Sequence, residues 1–174
     1  MTGSADTPVQ SFDPVVSTTD TLMILGSMPG VRSLDAQQYY AHPRNAFWKI
    51  IQSIDGGEIK TYKQKLQMLS RQRIALWDTL KHCQRPGSLD SNIASDSVVC
   101  NDFNWLFHQY PQIKTVAFNG KASEKWFKKL VLPTLKDSGS ITWASLPSSS
   151  PAMATLSLAE KTTQWRRILP GPNS

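Results

Sequence analysis

Apolar residues in this chain fall into short runs that alternate with amphipathic segments. Four runs are nearly continuous: 21–27 (TLMILGS), 73–78 (RIALWD), 115–119 (TVAFN) and 141–146 (ITWASL). Runs this short, with no polar residue at every second place, predict strands buried on both faces. The intervening segments follow a helical period. Over 45–54, Phe47, Ile50, Ile51 and Ile54 recur at i, i+3, i+4, i+7, and Asp55-Gly56-Gly57 ends the pattern. Further helices are predicted over 59–70, with Tyr62, Leu66 and Leu69 inward, and over 102–110, with Asp102 as cap. Two more follow over 121–132, carrying Trp126, Phe127 and Leu130, and over about 156–169, before Pro170-Gly171-Pro172. Residues 81–97, with Pro86 and Gly87, read as one long loop, and loops of that length in a compact domain are often functional.

Short apolar strands separated by helices predict an α/β fold. The expected form is a three-layer α/β/α sandwich around a central four-stranded, mainly parallel sheet. All four strands then end on one rim. The loops that leave them are GSMPG, WDTLKHCQRPGSLD, FNGK and LPSSSPAM. Ligands in open α/β sheets bind at the carboxyl ends of strands, so this rim is the expected site. Residues 22–48, in which a strand opens into a loop rich in polar and aromatic side chains, form its expected wall.

The length of 174 residues favours one domain, expected over 21–170 behind a flexible polar tail of 1–20 in which Phe12 is the residue able to dock. No repeat of 20–50 residues is present, which argues against a solenoid. No window is apolar enough to cross a bilayer, and the first residues lack the basic and apolar regions of a secretory signal. Cys83 and Cys100 are too few for a disulfide framework, which points to a reducing, cytoplasmic compartment. The net charge of +6 suits a polyanionic partner. It also fits a merely solvated basic surface.

Gly26-Ser27-Met28-Pro29-Gly30 is neither a Walker A loop, nor GxGxxG, nor GxSxG. It is either a plain strand-to-loop turn or a turn that presents N–H groups and leaves room for a flat ligand. His42 is a candidate base or a brace for its loop, and with Ser27 and Asp78 it would compose a Ser–His–Asp set in an unusual context. Ser148, Ser149 and Ser150 offer hydroxyls and amides suited to phosphate oxygens. Met153, just beyond, is an apolar side chain of the kind that wedges into a base stack. No His, Cys or carboxylate cluster has metal spacing.

Taken together, these residues resemble the uracil-DNA glycosylase superfamily. The turn at 26–30 matches its first motif, Tyr40 to Trp48 (YAHPRNAFW) matches the HPxNxFW segment, and 146–154 is similar to the serine-rich second motif. The strings GSMPG, QQYYAHPRNAFW, RPGSLDSNI and FNGK resemble most closely the hypoxanthine-DNA (deoxyinosine) glycosylase branch. The resemblance spans about 21–169. Other branches carry Asn or Asp in the first motif to position or activate water. Here the motif supplies Ser27, which has neither a charge nor a planar amide, and the resemblance implies that Asn45 takes the catalytic role. Asn45 has a competing role as cap of the helix that follows.

The resemblance implies a monofunctional enzyme of base excision repair. It would hydrolyse the N-glycosidic bond of deaminated bases in DNA, hypoxanthine first and uracil second, after the base is flipped out. Tyr40 would stack on the base, while Asn119, Asp78, Ser27 and Met28 complete the base-binding wall. Ser148, Ser149 and Ser150 would hold phosphates, and Met153 would fill the gap in the stack. Lys121 is the lysine that could instead form a Schiff base. The implied partner is DNA containing deaminated bases, the implied state is a monomer, and no metal or organic cofactor is implied. Two other readings remain at this level: a non-catalytic nucleic-acid-binding domain on the same fold, and a serine hydrolase using Ser27.

Overall fold

A computed structural model describes residues 8–169. In chain order the strands are β1 (Pro8–Gln10), β2 (Leu22–Gly26), β3 (Ile74–Asp78), β4 (Leu80–Gln84), β5 (Val99–Cys100), β6 (Thr115–Asn119) and β7 (Thr142–Leu146). The α-helices are α1 (Val31–Ala36), α2 (Phe47–Asp55), α3 (Tyr62–Arg71), α4 (Phe103–Gln109), α5 (Lys121–Trp126) and α6 (Leu158–Arg166). The central sheet has the order β3-β2-β6-β7, and its neighbours are all parallel.

The pleat of β2 explains the layers. Leu22 and Ile24 face one side, where they join Phe47, Ile50 and Ile51 of α2, Met68 and Leu69 of α3 and Trp165 of α6. Met23 and Leu25 face the other, against Phe103 and Leu106 of α4 and Phe127. All five residues of β2 are buried, as a strand covered on both faces requires. Each large apolar side chain buried in this way contributes roughly 1.5–3 kcal/mol. The α/β/α sandwich with its parallel four-stranded sheet is therefore as the pattern predicts.

Helix boundaries follow the local chemistry. Helix α3 starts at a capping box in which Thr61 accepts from the Gln64 amide and Gln64 accepts from that of Thr61. Asp102 caps α4 by accepting from the Trp105 amide at 3.0 Å. A second capping box, Ser157 with Glu160, opens α6. After α5 the chain continues through a π-helical turn over Phe127–Val131.

Three expectations need correction. The N-terminal tail is not loose from residue 8 on: β1 pairs antiparallel with β4, Val15 bridges Leu76, and the Phe12 carbonyl accepts from Trp77 Nε1 at 3.1 Å. Residues 1–7 lie outside those described, as do Pro170, Gly171 and Pro172. The supposed loop over 81–97 contains β4 and, with β1 and β5, makes a small antiparallel sheet in the order β1-β4-β5. The polar stretch after Gly30 is the short helix α1 rather than loop. No helix among the described residues is long and apolar enough to cross a membrane.

Candidate active site

The parallel register sets Gly26 opposite Asp78 and Asn119 opposite Leu146, so all four strands end on one rim. A cleft of about 450 Å³ opens there. That volume lies in the usual range for a small-molecule or base pocket. The turn after β2 is pinned from β3 onward, since the Thr79 amide donates to Gly26 O at 2.8 Å and the Leu80 amide to Ser27 O at 3.1 Å.

Gly26 has no room for a side chain. A Cβ there would lie 2.4 Å from Asp78 Oδ1 and 3.0 Å from the Tyr40 hydroxyl. Asp78 and Tyr40 thus meet at the cleft floor, which both line, and among the described residues Asp78 Oδ2 and Tyr40 Oη are buried without a hydrogen-bond partner. Burial pushes the Asp78 carboxyl up to about 7; the nearby Asp90 adds to the rise and Arg85 opposes it. Burial, followed by the charge of Asp78, also pushes the Tyr40 phenol upward.

Tyr40 has φ 54°, in the left-handed region that an aromatic residue rarely occupies. Such strain costs about 1–3 kcal/mol and persists only where the surroundings over-determine it. They do so here. Trp48 Nε1 donates to Tyr39 O at 2.8 Å, the Ala41 amide to Ser33 Oγ at 3.0 Å, and the Tyr39 amide to the Tyr62 hydroxyl at 3.1 Å. One face of the Tyr40 ring stacks on Phe47, with centroids 4.1 Å apart and planes 19° apart.

Asn45 lines the cleft just before α2. Its Oδ1 accepts from the Phe47 amide at 3.0 Å, which fixes the amide plane and leaves Nδ2 without a partner among the described residues. The bond is local support for the start of α2, so the capping role and a role in the cleft coexist in one side chain. His42 also lines the cleft, and its Nδ1 accepts from the Arg44 amide at 3.0 Å. A neutral ring accepting at Nδ1 carries its proton on Nε2 and offers a donor there, not a base.

The serine loop divides its three hydroxyls. Ser149 is 1% exposed. It is taken up by Asn119: the Ser149 amide donates to Asn119 Oδ1 and Asn119 Nδ2 donates to Ser149 Oγ, both at 2.9 Å. The Ser149 carbonyl accepts from the Ala46 amide at 2.9 Å, so this serine ties β6, α2 and the loop together. Ser149 thus works as a joint, and Asn119 engages its Oδ1 and one Nδ2 hydrogen with it. Ser148 and Ser150 remain in the cleft wall. Lys161 of α6, 4% exposed, donates to Ser150 O at 3.2 Å and supports the loop from within the fold. Met153 lies beyond the cleft lining, with its amide donating to Ser150 O at 3.0 Å.

Met28 lines the cleft but is 6% exposed and joins Leu80, Cys83, Ile93 and Trp126 in a small core, so it is largely a packing residue. Ser27 Oγ donates to Asp90 Oδ1 at 2.6 Å and not to His42. The hydrogen bond from nucleophile to base that a Ser–His–Asp site needs is therefore missing here. Sequence reading passed over Asp90, which lay in the presumed loop. Lys121 is exposed and outside the cleft; among the described residues no lysine lines it. No group of three His, Cys, Asp or Glu residues among those described has a metal-holding arrangement.

Residues 14–169 match the family model of the uracil DNA glycosylase superfamily. The chain belongs to that superfamily. It is 39% identical over 119 residues to the hypoxanthine DNA glycosylase of Methanosarcina barkeri, covering 67% of this chain and 74% of the relative. It is 33% identical over 161 residues to the hypoxanthine DNA glycosylase of Methanosarcina acetivorans, covering 91% and 96% of the two. A solution NMR structure from Methanosarcina acetivorans, provisionally named a uracil DNA glycosylase, superposes with a TM-score of 0.76 at 31% identity, covering 94% of this chain and 97% of that one.

Proposed function

We propose that this protein is a monofunctional DNA glycosylase that releases hypoxanthine, and secondarily uracil, from DNA. One observation carries the reading: the oriented Asn45 amide shares a cleft of about 450 Å³ with Tyr40, in a chain whose relatives are hypoxanthine DNA glycosylases. The target nucleotide leaves the duplex at a cost of a few kcal/mol, least for a mismatched pair. Its base enters the cleft beside Tyr40, and Asn45 orients a water toward C1′. The C1′–N9 bond breaks with its electron pair on the base, the C1′–O bond forms, and the products are free hypoxanthine and an abasic sugar. The transition state has oxocarbenium character, as in glycoside hydrolysis generally.

DNA outside the cleft has three kinds of partner. Ser148 and Ser150 keep hydroxyls in the cleft wall for phosphate oxygens. Arg32, exposed in the cleft lining, and Arg44, exposed in the segment before α2, form no ion pair among the described residues, which suits phosphate contact. Met153 and Leu89, the latter 51% exposed and lining the cleft, are the apolar side chains available to fill the vacated stack. The absence of lysine from the described cleft supports water, rather than an amine, as nucleophile. The protein is expected to act as a monomer in the cytoplasm, at the nucleoid.

The test is release of free base from duplexes carrying one deoxyinosine or one deoxyuridine, read by mass spectrometry of the small-molecule fraction. Hypoxanthine is expected in excess over uracil. Binding of these duplexes without release of either base would make the protein a nucleic-acid-binding module instead.

A further inference from the structure

The segment after β4 folds back over the turn that follows β2. Arg85, 4% exposed, holds it there. Its Nη2 donates to Pro29 O at 2.6 Å, its Nη1 to Met28 O at 3.4 Å and its Nε to Gly87 O at 2.9 Å. Ser88 Oγ accepts from the Val31 amide at 2.9 Å and closes the second contact. These bonds carry Asp90 into the cleft wall, where its Oδ1 accepts from Ser27 Oγ at 2.6 Å. Ser27 is 8% exposed, whereas Asp90, though enclosed by the cleft walls, keeps an exposed surface within the cleft, and its Oδ2 has no hydrogen bond to the described protein. A buried arginine therefore fixes a loop whose end presents one oriented, accessible carboxylate oxygen.

We propose that Asp90 is the base that takes a proton from the attacking water, with Ser27 as its positioning residue. The inference rests on the glycosylase reading above. In the step, the C1′–N9 electron pair departs with hypoxanthine, water oxygen bonds to C1′, and a water proton passes to Asp90 Oδ2. The released base takes its proton from solvent. An ionised carboxylate beside C1′ also stabilises the positive charge that develops on the sugar. Asp78 does not serve, because its Oδ2 is buried and out of reach of solvent water.

The titratable and charged groups around Asp90 are Asp78, Arg85, Cys83 and Tyr40, and Arg32 and His42 line the same cleft from the facing segments. Burial raises the Asp90 carboxyl, while the Ser27 hydroxyl and the Arg85 charge pull it down. A base must be ionised, so the excision rate falls once pH is low enough to protonate Asp90.

Single-turnover excision of hypoxanthine by wild type, Asp90→Asn, Ser27→Ala and Asp78→Asn, across pH and alongside duplex affinity, tests the assignment. Asp90→Asn is expected to lose about 100-fold or more in rate, the usual share of a positioned base. Its DNA affinity is expected to stay unchanged and the acid limb of its pH profile to disappear. Ser27→Ala loses less and keeps the limb; Asp78→Asn keeps the limb. Full rate in Asp90→Asn, a retained acid limb, or a fall in affinity that matches the fall in rate overturns the role of Asp90 and leaves the glycosylase reading standing. Wild-type protein that frees no base from any duplex overturns both.

Discussion

Asn119 and Ser149 are joined by two hydrogen bonds of 2.9 Å, side-chain amide to hydroxyl and backbone amide to side-chain carbonyl. This pair fastens the end of β6 to the serine loop after β7. Asn119→Ala strips a buried serine of its partners, which costs roughly 1–3 kcal/mol for unsatisfied polar groups. Thermal unfolding of Asn119→Ala is expected at lower temperature than wild type, and excision falls because Ser148 and Ser150 lose their frame. Unchanged stability with altered base preference would show instead that Asn119 reads the base.

Gly26 lies against the Asp78 and Tyr40 side chains at the cleft floor. Gly26→Ala forces a methyl to 2.4 Å from Asp78 Oδ1. Overpacking of this kind costs about 1–3 kcal/mol. The variant is expected to unfold earlier and to excise poorly. Wild-type melting behaviour in Gly26→Ala would show that the floor can open.

Asp78 makes stability depend on pH. Its folded value, about 7, stands above the ordinary 3.8. Below the ordinary value both states hold the proton and the folded state bears no pH-dependent penalty from this group. Between the two values only the folded state holds it, and stability falls steadily as pH rises. Each unit is worth about 1.4 kcal/mol. Asp78→Asn is therefore expected to gain stability over wild type on going from pH 4 to 7, by on the order of a few kcal/mol, with no further gain above. Denaturant titration at several pH values measures it; a constant difference between the two proteins would contradict the raised value.

Arg85 is the clamp of the Asp90 loop. Arg85→Met removes its bonds to Pro29, Met28 and Gly87 while keeping much of the packing. Limited proteolysis is expected to cut within 86–92 in the variant and not in wild type. Equal resistance in both would mean that the loop is held by Ser88 and Ser27 alone.

The parts of the fold legible in sequence are those whose signal is local. Strand β2 reads as LMILG because both faces meet helices, and α2 shows its buried stripe at Phe47, Ile50, Ile51 and Ile54. Strands β1, β4 and β5 are invisible because they are short and pair across distance: Val9 meets Cys83, and His82 meets Val99. Helix α1 is six residues long and has no side-chain cap at Gly30.

The site divides in the same way. Asn45, Tyr40 and the serine loop are legible through the superfamily resemblance. The roles of Asn119 and Ser149 are not, because reciprocal bonding between two strand ends leaves no trace in either segment. Asp90 sits in RPGSLDSNI, a string whose length and proline suggest loop. The one signal available was an arginine in that string, Arg85, which the fold buries and uses as an anchor.

The most direct test of the account is single-turnover excision on a deoxyinosine duplex by wild type and Asn45→Ala side by side. Wild type is expected to convert the duplex to abasic product and free hypoxanthine. Asn45→Ala is expected to lose about 100- to 1,000-fold in rate, the usual cost of removing one positioned amide at a reacting centre. Equal rates in the two proteins would contradict the catalytic role of Asn45.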